Sequence, residues 1–181
     1  MKTTLPELLR TRQTEIAAWA RGLTHERMGS AGFGGWQNGL ILNPLMVRDD
    51  LLTPDVRDVF INPAVRQVVY IDLHPHSGIP WHNHRDASYY MMDSRGEMIE
   101  FPFTGPRYKT THFAVEIPDE REKAFMFIDG RKHFWEYGRF EEFDVIDSDH
   151  YARNDTAQHL KIIYIDYYPE AFSLPAAPGG K

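Results

Sequence analysis

No cysteine occurs in the chain, which excludes a disulfide framework, a thiol nucleophile and a thiolate metal site. Basic residues are in deficit: 20 Lys and Arg stand against 26 Asp and Glu, a formal net charge of −6. The electrostatic footprint of a nucleic-acid binder is therefore missing. No apolar run approaches the roughly 20 residues that a membrane span requires. The opening segment MKTTLPELLR lacks the apolar stretch of a signal peptide. These absences lead us to expect a cytoplasmic protein whose partner is a small molecule, not a nucleic acid or a membrane. The oligomeric state stays open, a homodimer included. Any metal ion has to be held by His, Asp or Glu.

What is present points to a β-rich domain. A chain of 181 residues suits one domain, and an aromatic share of 13% favours pleated sheet. Residues 5–23 have the spacing of one amphipathic helix, with Leu5, Leu8, Leu9, Ile16, Trp19 and Leu23 near one face. The glycines between Gly29 and Gly39 indicate a flexible loop of the kind that forms a lid. WQNGLILN is strand-like, and Thr53-Pro54 reads as an N-cap and first turn of a short helix reaching Phe60. From Arg66 onward short β-type runs follow: QVVYIDLH, ASYYMM, EMIEFPF, KTTHFAVEI, AFMFID, KHFWEYG, RFEEFDV and LKIIYIDYY. Turn residues punctuate them at the spacing of a sandwich or barrel. The expected fold is mainly β: a double-stranded β-helix, or jelly roll, with N-terminal helices packed on it. It is expected to occupy 1–172 as one domain, with a Pro/Gly-rich tail, 173–181, disordered.

Histidine carries the chemical signal. Nine are present, and SGIPWHNHRDASYYMM concentrates His82, His84 and Asp86. On an extended strand residues i and i+2 project from one face. The spacing therefore permits either an H-x-H or an H-x-D pair to reach one ion. A further histidine from a distant strand, such as His150, would complete the set. Two imidazoles and one carboxylate form the facial set of non-haem Fe(II) oxygenases. Against this, His84-Arg85-Asp86 also reads as a solvated turn, and His150 as a residue of the acidic loop DSDHYARND. The loop acids Asp147 and Asp149 read either as exposed charges or as partners that orient His150.

The wider context carries a resemblance. GRKHFWEYGRFEEFDVIDSDHYARNDT resembles the aspartyl/asparaginyl β-hydroxylase-like group of Fe(II)/2-oxoglutarate dioxygenases. Trp135, Gly138, Phe143, Asp144, His150 and Asn154 occupy that group's pattern. Upstream, HNHRDA, TTHFAVEIP and GFGGWQNGLILN are similar to segments of the bacterial cis-proline hydroxylases of the same cupin superfamily. The resemblance spans roughly Gly32 to Pro169. It implies an enzyme that hydroxylates or otherwise oxidises an unactivated C–H of a small substrate such as an amino acid. Fe(II) would be held by His84, Asp86 and His150, with 2-oxoglutarate as cosubstrate and O2 as oxidant. His112 becomes a pocket residue near the metal, with Tyr89, Arg107 and Arg153 as further substrate contacts.

One position departs from the group. The arginine expected to pair with the distal carboxylate of 2-oxoglutarate falls on Leu160. Lys161, if a bulge turns it inward, and Lys109 are the replacements. GIPWHNH followed by YYMMDSRGEMIEF also resembles the first motif of metal-dependent cupins that need no 2-oxoglutarate. His82, His84 and His150 would then be the ligands, although Ser88 occupies that motif's glutamate position. A third reading is a non-catalytic ligand-binding barrel.

Overall fold

A computed structural model of the chain describes residues 4–28, 31–85, 88–92, 98–102 and 106–169, with backbone only for 25, 31, 33, 88–92 and 98–102. The tail expected to be disordered lies outside them. Among the described residues are four α-helices: α1 (Leu5–Thr11), α2 (Gln13–Arg21), α3 (His25–Met28) and α4 (Pro54–Phe60). No described helix is long and apolar enough to cross a membrane.

The single helix expected over 5–23 is two, divided at Arg12, whose φ of −108° and ψ of 20° leave the helical region. Thr11 Oγ1 back-bonds to the carbonyls of Glu7 and Leu8, an arrangement that bends helices. The Arg12 guanidinium reaches Asp58 on α4. The apolar face is as the spacing predicts: Leu5, Leu8, Leu9, Ile16, Trp19 and Leu23 are all buried. Thr4 and Glu7 close a capping box at the start of α1. Thr53 occupies the N-cap position of α4 with extended backbone, but its side chain makes no capping bond.

The first strands are β1 (Ala31–Phe33), β2 (Trp36–Asn43), β3 (Met46–Val47), β4 (Val65–Leu73) and β5 (Ser77–His82). They are followed by β6 (Ser88–Met92), β7 (Met98–Pro102), β8 (Lys109–Glu116), β9 (Ala124–Ile128) and β10 (Arg131–Phe134). The last are β11 (Glu142–Phe143), β12 (His150–Asn154) and β13 (Leu160–Tyr167). A large sheet runs β1-β2-β4-β13-β8-β11, with β3 beside β2; a small sheet runs β10-β9-β12-β5; β6 and β7 pair separately. Take β4, β5 and β8 through β13 as strands one to eight. The sheets then read one-eight-three-six and two-seven-four-five. Every connection but the β9–β10 hairpin crosses from one sheet to the other, which is the double-stranded β-helix expected from the sequence.

Period-2 alternation divides the core. On β13, Ile163 and Ile165 pack under the helices with Leu9, Ile16, Phe60 and Phe113. Leu160 and Ile162 point between the sheets, with Leu73, Met126 and Ile128. The glycine cluster is not the expected lid where it is described. Gly34 and Gly35, with φ of 53° and 139°, make the two-residue turn between β1 and β2, which those torsions reserve for glycine. The charged segment PDEREK between β8 and β9 contains a short 3-10 turn over Arg121–Lys123.

Four strands, β1, β3, β5 and β12, were not among the expected runs, and β5 and β12 carry site histidines. Their pairing sets His82 opposite His150. The register shifts between His150 and Ala152, which faces Ile79, so β5 carries one extra residue. Pro80, without an N–H, suits such a bulge. Trp81 is left exposed against Tyr151 and Phe127.

Candidate metal centre

His82, His84 and His150 each offer a ligand atom, and these atoms all lie within 4.8 Å of one another. The ring centroids are 4.2 Å apart for His82 and His150, 5.1 Å for His84 and His150, and 5.2 Å for His82 and His84. His82 ends β5, His150 begins β12, and the cross-strand register places them face to face.

His84 is not on a strand. It lies in a bend after β5, so the i, i+2 strand geometry used to join His84 to Asp86 does not apply here, and the extended backbone stops at His82. The bend is pinned to the loop before β12. His84 N–H donates to the carbonyl of Val145, Asn83 Nδ2 donates to Asp149, and Arg85 N–H donates to Asn83 Oδ1. Asp86 lies outside the described residues. Asp149 thus holds Asn83 and does not orient His150.

Hydrogen bonding sets the tautomers. His82 Nδ1 meets the carbonyl of Pro80 at 2.8 Å and His150 Nδ1 meets that of Ser148 at 2.9 Å. A carbonyl only accepts, so both rings carry the proton on Nδ1 and keep the Nε2 lone pair. His84 Nδ1 lies 3.1 Å from Tyr164 Oη. That hydroxyl also meets Thr110 Oγ1 at 3.2 Å, and Thr110 Oγ1 donates to Asp166 at 2.6 Å. Asp166 is ionised against Arg66, 2.6 Å away. The carboxylate therefore takes the Thr110 proton, Thr110 takes that of Tyr164, and Tyr164 accepts from His84 Nδ1–H. His84 too keeps its lone pair on Nε2.

His112 is the opposite case. Trp135 Nε1–H donates to His112 Nδ1 at 3.1 Å, so the His112 proton sits on Nε2. This ring lines the same cavity but is set up to donate.

Burial keeps His84, His112 and His150 neutral. Burial first, then His150 and His82, pushes the His84 imidazole down to about 3. Burial, with His150 and His133 adding to it, takes His112 down to about 3. His150 is also lowered by burial, against the opposing effect of the Ser148 carbonyl. Three imidazoles that keep their lone pairs on Nε2 are a fitting donor set for a divalent transition ion.

The cavity between the sheets measures about 180 Å³. Its walls are largely apolar, from Trp36, Val69, Ile71 and Ile79, with the amides of Asn38 and Gln67 as polar points. No lysine or arginine is among its described lining residues. Lys161 Nζ meets Glu116 at 2.6 Å, and its side chain leaves β13 on the face opposite Ile162 and Tyr164. The β8–β13 register does shift at Lys161, yet Lys161 does not join the histidines. Lys109 pairs with Asp144, Arg107 with Asp144 and Asp147, and Arg153 with Asp155. Leu160 points between the sheets as apolar core. Tyr89 falls on β6, where only the backbone is described.

Sequence reasoning missed Tyr164. The alternation Leu160, Ile162, Tyr164 would have placed it inward, with a buried hydroxyl in need of a partner.

No family model matches the chain, and no curated protein matches it. Among solved structures, KdgF from Halomonas sp. is similar at 11% identity, with 81% of this chain and 94% of that one covered and a TM-score of 0.44. A Klebsiella pneumoniae protein described by its double-stranded β-helix domain is similar at 12% identity, with 83% and 92% covered and a TM-score of 0.45. The pirin YhhW of Escherichia coli, in complex with nickel(II), is similar at 13% identity, with 87% and 53% covered and a TM-score of 0.47.

Proposed function

We propose that this protein is a metal-dependent enzyme acting on a small molecule, with the ion held by His82, His84 and His150 through Nε2. One observation carries the reading: the three rings engage Nδ1 with Pro80, Tyr164 and Ser148, while the neighbouring His112 is held in the opposite tautomer. Metal-ligating histidines commonly give their other ring N–H to such partners. The bound ion would supply a Lewis-acid centre and, as Fe(II), a redox centre.

The protein's own residues define the substrate class. Three neutral ligands leave the ion's double positive charge uncompensated, and no described lining residue is a lysine or arginine. An anionic substrate is therefore neutralised by the ion itself. That favours a small molecule chelating through two oxygen atoms, such as an oxo acid, a hydroxy acid or an enol. Its apolar body rests against Trp36, Ile71 and Ile79, and Asn38 and Gln67 offer amide hydrogen bonds. His112, holding its proton on Nε2, can donate to a substrate oxygen.

The Fe(II)/2-oxoglutarate reading differs at two points. It takes Asp86 as a ligand and needs a cation for the distal carboxylate. Lys161, Lys109, Arg107 and Arg153 are each engaged with a carboxylate, which favours a substrate that binds without 2-oxoglutarate. Separate His82→Ala and Asp86→Ala variants test the choice by Fe(II) content after desalting. We expect His82→Ala to lose the ion and Asp86→Ala to keep it. The reverse pattern, with uncoupled 2-oxoglutarate turnover by the parent protein, would sink our reading in favour of the oxygenase.

A further inference from the structure

We propose a second divalent-cation site, on the opposite face of the large sheet, formed by Asp72, His74 and His159. Each offers a donor atom, and the three atoms lie within 4.8 Å of one another. His159 Nδ1 and Asp72 Oδ1 are 2.7 Å apart, and the His74 and His159 rings are 5.2 Å centroid to centroid.

The segments bearing these residues are held before any ion arrives. Asn154, fully buried, donates from Nδ2 to the carbonyls of Leu73, His74 and Gln158. One amide thereby ties the end of β4, which carries Asp72 and leads into His74, to the residue preceding His159. His74 is fixed twice more: its N–H donates to Gly35 O at 3.0 Å, and its carbonyl accepts from Ser77 Oγ at 2.6 Å. Such a scaffold lowers the ordering cost of bringing three ligands together. Lys161, the register partner of Asp72, has its charge answered by Glu116, so the lysine is not aimed into the cluster.

The site is separate from the histidine triad. Ile71 lines the inner cavity and Leu73 belongs to the core between the sheets, so Asp72 projects from the other face of β4. It is also reachable, because the His159 side chain is 44% exposed. Two imidazole nitrogens and one carboxylate oxygen suit Zn(II), Ni(II) or Co(II) more than Mg(II) or Ca(II), which take oxygen ligands. The ion takes the place of the hydrogen bond between His159 Nδ1 and Asp72, and the neutral ring then carries its one proton on Nε2. Bound there, it would fasten the end of β4 to the start of β13.

The test is metal counting on untagged, chelator-stripped full chain, titrated with Zn(II) and desalted. We expect two ions per chain. His159→Gln and His74→Gln should each hold one, and so should the paired change of His84→Gln with His150→Gln. Adding His159→Gln to that pair should leave none. The amide introduced by His159→Gln can still donate to Asp72, so an unchanged thermal midpoint of the stripped variant verifies its fold. One ion per chain, lost with His84 and His150, overturns the proposal. So does a second ion that persists in both His74→Gln and His159→Gln.

Discussion

At the scale of single residues, the candidate centre depends on what each imidazole does with its second nitrogen. Tyr164 serves His84, and its own proton is drawn toward Thr110 and Asp166. Tyr164→Phe keeps the ring and removes the oxygen. We expect ion affinity to fall about 10- to 100-fold with the fold intact, as read by chelator competition. Protonation gives a second residue-scale prediction. His112, its pKa depressed in the fold, stays neutral there while its unfolded counterpart charges below about 6.5. The unfolded state then binds more protons, so the stability present above pH 6.5 is lost as pH falls toward 3. At pH 5 the loss is about 2 kcal/mol for such a group. Urea unfolding of metal-free protein at pH 7 and pH 5 measures it, and His112→Gln should shrink that difference by about the same amount.

At the scale of elements, two bulges position the site. In β4 the register with β13 steps between Asp166 and Tyr167, opposite Gln67 and Val65, which makes Arg66 the extra residue. The bulge turns its guanidinium onto Asp166, and both side chains are almost wholly buried. Burial raises the Asp166 carboxyl while Arg66 opposes it, so the ion pair is what keeps the Tyr164 relay pointed one way. Arg66→Met leaves a buried carboxylate without its cation. We expect a cost of about 3–5 kcal/mol in urea unfolding, largely recovered when Asp166→Leu is added. In β5 the extra residue lies between Ile79 and His82, bringing His82 to face His150 while Trp81 stays outside.

At the scale of the whole molecule, the helices complete the large sheet. Leu9, Ile16 and Phe60 cover Val68, Phe113, Ile163 and Ile165, and the inner face of the same sheet bears His112 and Tyr164. A defect under the helices should therefore be felt by the entire barrel. Leu9→Ala, at a fully buried position, is expected to cost about 2–5 kcal/mol. Far-ultraviolet circular dichroism and tryptophan fluorescence should report the same shifted transition, because Trp19 lies under the helices and Trp135 between the sheets. Two separate transitions would mean that the helical layer unfolds on its own.

Local pattern determined much of this protein. The absence of cysteine restricted metal ligation to His, Asp and Glu, and the buried face of α1 and α2 followed from helical spacing. The β-type runs yielded a jelly roll, and α4 begins at the proline that marks it. These features depend on a few neighbouring residues, so the sequence displays them directly. The ligand set was legible only as alternatives, because spacing permits H-x-H and H-x-D equally. Tertiary structure brought His82, His84 and His150 together by ending β5 at His82, bending the chain at His84 and pairing β5 with β12. Neither strand has a long alternating run, so neither was visible in advance. The tautomers were still further from view. They are set by a proline carbonyl, a serine carbonyl, a tyrosine and a tryptophan, and the last two lie on distant strands or loops. A proton's place on a ring depends on what the fold sets beside it.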